Sequence, residues 1–252
     1  HTKVLRYDEA ANALWYRMTQ GYKWSQNKGL IALGLFKDEA EIASSPSQYD
    51  LELMPGDIKY KDINGDGMIN DDDIVPIGNT KNPELVYGFG LSAQWKGFDF
   101  SVLFQGTGKT DVILEGYSVF PFSEGEYGNV PTAIADPRNR WISREISGTP
   151  ATERQDAIFP RLSYGARENN QKWSTWWLRD GRFLRLKNLE LGYTLPQTFT
   201  RKFKVERARI YFLGYNLACW APFDWWDPEQ GSVNGNVYPI QKTFTFGLNV
   251  SF

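Results

Sequence analysis

Apolar residues recur at every second position in several stretches of this chain, and that period marks strands rather than helices. In the last ten residues Phe244, Phe246, Leu248, Val250 and Phe252 alternate with Thr245, Gly247, Asn249 and Ser251. Earlier, Leu85, Tyr87, Phe89, Leu91, Ala93 and Trp95 alternate with Val86, Gly88, Gly90, Ser92 and Gln94. After Lys96-Gly97, Phe98, Phe100, Val102 and Phe104 alternate with Asp99, Ser101, Leu103 and Gln105. Each run is about ten residues, the length a tilted strand needs to cross a bilayer. Residues 183–194 and 208–219 predict a further pair, with Tyr211, Leu213, Tyr215 and Leu217 as the apolar face of the second. Weaker strands are predicted at about 14–24 and 28–36, and a short helix at 38–43.

The connections between these strands fall into two kinds. They are short near 25–27 and 96–97, moderate at 195–207, and long at about 37–84, 108–182 and 220–242. Outer-membrane barrels have short turns on the periplasmic side and long loops outside. With the last strand ending on the periplasmic side, backward counting puts every long connection outside. Seven strands is an odd number, below the smallest bacterial barrels, and open edges are not tolerated in lipid. The expectation is therefore an all-β, antiparallel transmembrane β-barrel segment, with residues 1–252 forming one part of a larger barrel.

Composition adds support and removes alternatives. Aromatic residues make up 15% of the chain and net charge is −2, so no strong field points to nucleic acid. No apolar run is long enough for a membrane-spanning helix. The single cysteine, Cys219, excludes an internal disulfide framework and reads as a small hydrophobe in a strand. The chain opens on His1 rather than Met and without a signal-peptide pattern, which fits a mature or truncated product and says nothing against secretion.

Several segments resemble the SusC/RagA-like TonB-dependent outer-membrane transporters. They are Gly34-Leu35-Phe36 with Ser45-Pro46 beyond it, PGDIKYKDINGDGMINDDDIVPIGN (Pro55 to Asn79), and Tyr87-Gly88-Phe89. Trp95-Lys96-Gly97-Phe98-Asp99-Phe100, WWLRDGRFLRLKNLELGYTLP (Trp176 to Pro196) and the terminal TFTFGLNVSF follow in the family's order. The resemblance implies a barrel of about 22 strands around a plug domain, of which this chain would supply about the last seven. It further implies coupling to TonB through an N-terminal plug outside this chain. A SusD-like surface lipoprotein would cap the barrel.

The sharpest local motif is Asp62-x-Asn64-x-Asp66-Gly67-x-Ile69-x-x-x-Asp73. Its spacing matches a calcium loop, in which alternate oxygens converge around a glycine bend. The ligands would be Asp62, Asn64, Asp66, the carbonyl of Met68, and Asp73, with Asp instead of Glu last. No helices flank it, and a plain Gly/Asn/Asp turn without metal fits the same residues. Either way it would order a long external loop. Gly106-Thr107-Gly108-Lys109-Thr110 lacks the first glycine of a phosphate loop, since Leu103 stands there. Gly88-x-Gly90-x-x-Ala93 lies inside a strand and is no dinucleotide site; its glycines suit close packing or curvature on the lumen side.

Catalysis has little to work with. The sole histidine is His1, no Gly-x-Ser-x-Gly elbow exists, and Cys219 has no histidine to pair with. Trp176, Trp177 and Trp220 read as an aromatic girdle at the membrane interface, and Trp95 as its periplasmic counterpart. Trp225 and Trp226 lie deeper in a loop, where they would stack on sugar rings or pack against the lipoprotein. The run Arg179, Asp180, Arg182, Arg185 and Lys187 reads as solvated lumen or loop charge. The resulting expectation is no enzyme, but part of a SusC-like, TonB-dependent transporter importing oligosaccharide, or peptide, across the bacterial outer membrane. The alternative is a secreted, calcium-stabilised β-sandwich that binds carbohydrate.

Overall fold

The computed structural model describes residues 2–11, 13–122, 130–164 and 168–252. They divide into two compact units. One comprises Pro83–Thr110, Asp180–Gly231 and Val237–Phe252; the other comprises His1–Asn82, Asp111–Arg179 and Ser232–Asn236.

The first of these is a single antiparallel sheet. Its strands are β1 (Leu85–Trp95), β2 (Phe98–Gly108), β3 (Phe183–Thr194), β4 (Arg207–Trp220) and β5 (Thr243–Ser251). Each pairs with the next along the chain, so the sheet is an up-and-down meander. Lys96 and Gly97 both take positive φ, 47° and 86°, as a two-residue hairpin turn requires. The pairing puts the 96–97 and 195–206 connections at one end of the sheet. The long connections 109–182 and 221–242 leave from the other end.

Direct cross-strand partners share a face, and the register therefore sorts the side chains. Ala93, Phe100, Leu191, Phe212 and Phe246 form one row, and Trp95, Phe98, Tyr193, Ile210 and Leu248 the next. This apolar face is largely uncovered: Phe98 is 58% exposed, Ile210 52%, Leu248 62% and Phe246 80%. The other face carries the row Ser92, Ser101, Glu190, Leu213, Thr245 and, next to it, Gln94, Asp99, Gly192, Tyr211, Gly247. Tyr211, Leu213 and Tyr215 thus belong to the polar face, contrary to the expected assignment. Ile210 and Phe212 take the apolar one. A sandwich would bury the apolar face under a second sheet, and the exposures of this one argue against that alternative.

The expected strands at 14–24 and 28–36 do not join the sheet. Residues 14–24 form turns, and Gln26–Gly29 and Ala32–Leu35 are four-residue strands. At about 3.3 Å per residue such strands are far too short to cross a bilayer. They pair instead with Val75–Thr80 and Ile58–Tyr60, inside the second unit. The described sheet thus has five strands where seven were expected.

That second unit contains most of what the sequence assigned to long loops. It has its own core, with Phe36, Ile58, Ile69, Leu114, Ile134 and Trp177 almost fully buried. The expected helix is present at Glu39–Ala43, capped by Asp38, which accepts from the Glu41 amide at 2.9 Å. Gly56, at φ +87°, sits where a Cβ would fall 2.3 Å from the Trp141 ring. That glycine lets the chain turn against the indole and aims Asp57 inward.

Candidate functional site

Three arrangements carry the chemistry. On the polar face of the sheet, Arg209 of β4 donates to Asp99 of β2 and, at 2.6 Å, to Glu190 of β3. The guanidinium lies over Gly192, where a Cβ would come within 2.4 Å of it and of the Asp99 carboxylate. Gly192 therefore makes room for a bridge between strands that are not neighbours. Gly247 does the same for the Tyr211 ring. None of the three charged residues stood out in the sequence. Only the strand register brings them together.

Near the long-connection end of the same sheet, β3 bulges at Lys187. A bulge redirects the side chain it carries, and the Lys187 ammonium lies 3.2 Å from Glu229. Arg185, two residues earlier, pairs with Asp227 at 2.5 Å and Glu229 at 2.8 Å and is 2% exposed. Arg185 is therefore not a solvated lumen or loop charge, whereas Lys187 is paired and still partly exposed. They fasten the segment after β4, and with it the aromatic cluster of Phe223, Trp225 and Trp226. Phe223 is buried, with its ring 4.8 Å from that of Trp226 and 6.1 Å from that of Trp225. Trp225 and Trp226 stand 6.3 Å apart at 72° and are both half-buried. Fixed, half-buried tryptophans of this kind are able to stack on a ring or seat a protein partner.

The acidic loop lies in the other unit. Asp62 accepts from the amides of Gly65 and Gly67 at 2.6 and 2.9 Å, and Asp66 accepts from Met68 at 2.8 Å. Asn64 donates to Asp66 at 2.9 Å, so the first three ligand positions share one turn. Met68 follows at 39% exposure. Asp73 differs: fully buried, it accepts from Ile63 at 2.7 Å and Asn70 at 2.9 Å, closing the loop as a cap. Among the described residues no three acidic, histidine or cysteine side chains converge as a metal cage. The neighbouring carboxylates are engaged too, Asp72 with Arg17 at 2.5 Å and Asp71 with the Tyr49 hydroxyl at 3.0 Å. Burial first, and then Asp71, pushes the Tyr49 phenol well above its ordinary pKa.

Beside this loop runs a buried polar network that sequence reasoning missed. Asp57 pairs with Arg161 at 2.7 Å and accepts from the Asn170 amide at 2.7 Å. Gln48 donates to the Ile58 carbonyl and to Asn169, while Tyr60 donates to the Asn169 carbonyl. The Trp177 indole donates to the Asn170 carbonyl at 2.8 Å, and its ring lies 4.9 Å from Phe120. Trp177, 2% exposed, is thus core and not girdle. Trp220 (54% exposed) and Trp95 (69%) remain on the uncovered apolar face of the sheet.

Comparison with known proteins agrees with this geometry. No protein-family model matches the chain. It is 33% identical over 236 residues to TonB-dependent receptor P26 of Formosa agariphila, covering 89% of this chain and 22% of that protein. TonB-dependent receptor P3 of the same organism is 27% identical across the whole chain, which spans 23% of it. Among solved structures, the RagAB peptide transporter superposes with a TM-score of 0.63 at 22% identity, over 92% of this chain and 24% of that one. The RagAB peptide importer in its closed-closed state gives 0.62 at 23% identity, with 93% and 24% covered. The chain thus spans roughly a quarter of the proteins it matches.

Proposed function

Since the chain is a SusC/RagA-like, TonB-dependent receptor segment related to those proteins along nearly its whole length, we propose that it forms part of the wall and outer surface of an outer-membrane importer. The observation that carries this is the uncovered apolar band five strands wide, backed by a polar face on the same sheet. Hydrocarbon would meet Phe98, Ile210, Phe246 and Leu248, while Asp99, Glu190 and Arg209 would face an aqueous lumen. The cargo we propose is oligosaccharide, with peptide as the competing class, taken up with a SusD-like lipoprotein and powered by TonB through a plug. Trp225 and Trp226 would contact cargo or lipoprotein, held in position by Arg185 and Lys187.

The test is uptake by cells carrying the full-length protein, with fluorescent oligosaccharide and peptide pools, with and without an uncoupler. Energy-dependent oligosaccharide uptake, lowered by Trp225→Ala with Trp226→Ala, is the expected result. Peptide uptake alone would change the cargo. Recovery of the protein from the soluble fraction would sink the membrane reading.

For the acidic loop we propose a weak, structural calcium site using Asp62, Asn64, Asp66 and the Met68 carbonyl. Asp73 would have to release an amide to join it, which favours a dissociation constant near the 10⁻⁴–10⁻³ M, on the order of extracellular modules. A melting temperature that rises with millimolar calcium and falls with chelator is expected. A melting temperature indifferent to calcium leaves the turn closed by its own carboxylates.

A further inference from the structure

The connection between β3 and β4 is neither a tight turn nor a loose loop. It contains a short helix, Gln197–Thr200, and a 3₁₀ turn, Arg201–Phe203, ending at Lys204 in the left-handed conformation, φ 60°. The Val205 amide donates to the Thr200 carbonyl at 3.2 Å, and the Glu206 amide to Ser251 at 2.8 Å. Thr200 is buried, so the segment is a fixed part of the sheet end. Yet it displays two phenylalanines, Phe199 at 52% and Phe203 at 66% exposure, with ring centroids 5.5 Å apart. Burial elsewhere in the described chain does not account for them.

The charges around the pair are one-sided. Arg201, Lys202 and Lys204 are exposed, and among the described residues no carboxylate forms an ion pair with them. Among the described residues, Arg201 donates to the Gln197 amide oxygen, at 3.2 Å. The adjoining hairpin adds Lys96, whose ammonium lies 4.8 Å over the exposed Trp95 ring. The two connections touch through the Thr194 amide and the Gly97 carbonyl, at 2.7 Å. The side-chain carboxylates at this end include Glu206, which is exposed, and Asp99, which Arg209 occupies.

Exposed aromatics amid unpaired cations, at the rim of an apolar band, match the boundary where acyl chains give way to phosphates. We propose that the 195–206 connection, with Lys96 beside it, binds the phosphate headgroups of anionic phospholipid in the adjoining leaflet. Phe199 and Phe203 dip into the acyl boundary, while Arg201, Lys202 and Lys204 hold the headgroups. The inference rests on the membrane reading above. It goes beyond that reading by naming a lipid class and its ligands.

The experiment uses the full-length protein in nanodiscs of phosphatidylcholine containing a minority of phosphatidylglycerol, released from the discs for native mass spectrometry. Wild type should retain phosphatidylglycerol well above its share of the disc. The triple variant Arg201→Gln, Lys202→Gln, Lys204→Gln should lower that enrichment about tenfold or more, as each basic residue at a membrane surface contributes severalfold. Phe199→Ala with Phe203→Ala should lower it less and leave the salt dependence in place. Heat-modifiable migration of every variant checks that the barrel is assembled. Enrichment unchanged in an assembled triple variant, or none in wild type, overturns the lipid site and leaves the transporter intact. A protein that enters no disc at all overturns both readings.

Discussion

At the scale of single residues, the Asp57–Arg161 pair is the most sensitive point in the unit built from the long connections. Both side chains are removed from water, and Asn170 completes the carboxylate's hydrogen bonding. Arg161→Met would leave a buried carboxylate without its counter-charge, a loss of about 3–5 kcal/mol. Limited proteolysis of the assembled protein should then cut within 37–82 or 111–179, with the sheet still resistant. Equal resistance of variant and wild type would show that Asp57 has another route to solvation. Truncating Trp177, which fills the adjacent core, should have a similar cost of about 3–5 kcal/mol. Asp57 lies inside the Pro55 to Asn79 segment that carries the family resemblance, but its partner lies 104 residues away and nothing local marks the pair. Trp177 was misread for a related reason. A tryptophan pair beside a strand looks the same whether it faces lipid or a core, and only the fold of residues 111–179 separates Trp177 from Trp220.

At the scale of elements, period-two alternation was sufficient wherever one face was clearly polar. It located β1, β2 and β5 with their correct faces. It failed on β4 because Ala208 to Leu217 carries a large apolar side chain on both faces, so either parity scores well. Pairing decides the matter, since Phe212 lies opposite Leu191 and Phe246. The bridge across β2, β3 and β4 was equally illegible, because it depends on register and on the missing side chain of Gly192. Gly192→Ala should push Arg209 off Asp99 at a cost of about 1–3 kcal/mol, the usual range for overpacking. Urea titration in detergent would detect it, and an unchanged midpoint would mean the guanidinium shifts freely. The helix Glu39–Ala43 offers a pH test. Lys59 donates to Glu41 at 2.9 Å and the Lys37 amide at 2.8 Å, and these contacts hold the Glu41 carboxyl below the usual range. A lowered folded-state pKa means the contribution is complete above the unfolded value of about 4.3 and is lost as pH falls through the lower one. The pair is half-exposed, so about 0.5 kcal/mol is at stake. Glu41→Gln should reduce stability at pH 7 by that amount and flatten the acid limb of the melting curve. A parallel shift at all pH values would refute the assignment.

At the scale of the molecule, the loop-length asymmetry read from the sequence survives in altered form. The long connections 109–182 and 221–242 do leave from one end of the sheet, but a cored unit takes up residues 14–36, where two wall strands are expected. The rows of the sheet then make opposite demands on neighbouring residues. Phe246 shares a row with Ala93, Phe100, Leu191 and Phe212, whereas Thr245 shares one with Ser92, Ser101 and Glu190. If the first row meets hydrocarbon, an arginine there must be dehydrated or must distort the bilayer, at a cost of about 2–4 kcal/mol near the midplane. An arginine in the second row keeps its water and finds Glu190 close by. Phe246→Arg should therefore reduce assembled, heat-modifiable protein in the outer-membrane fraction, while Thr245→Arg leaves it near wild type. The contrast matters more than either value, because both variants place the same side chain on the same strand one residue apart. Matched losses would mean that the strand tolerates no arginine on either side. A loss confined to Thr245→Arg would invert the sheet, putting Asp99, Glu190 and Arg209 against lipid, and the wall reading would fall with it.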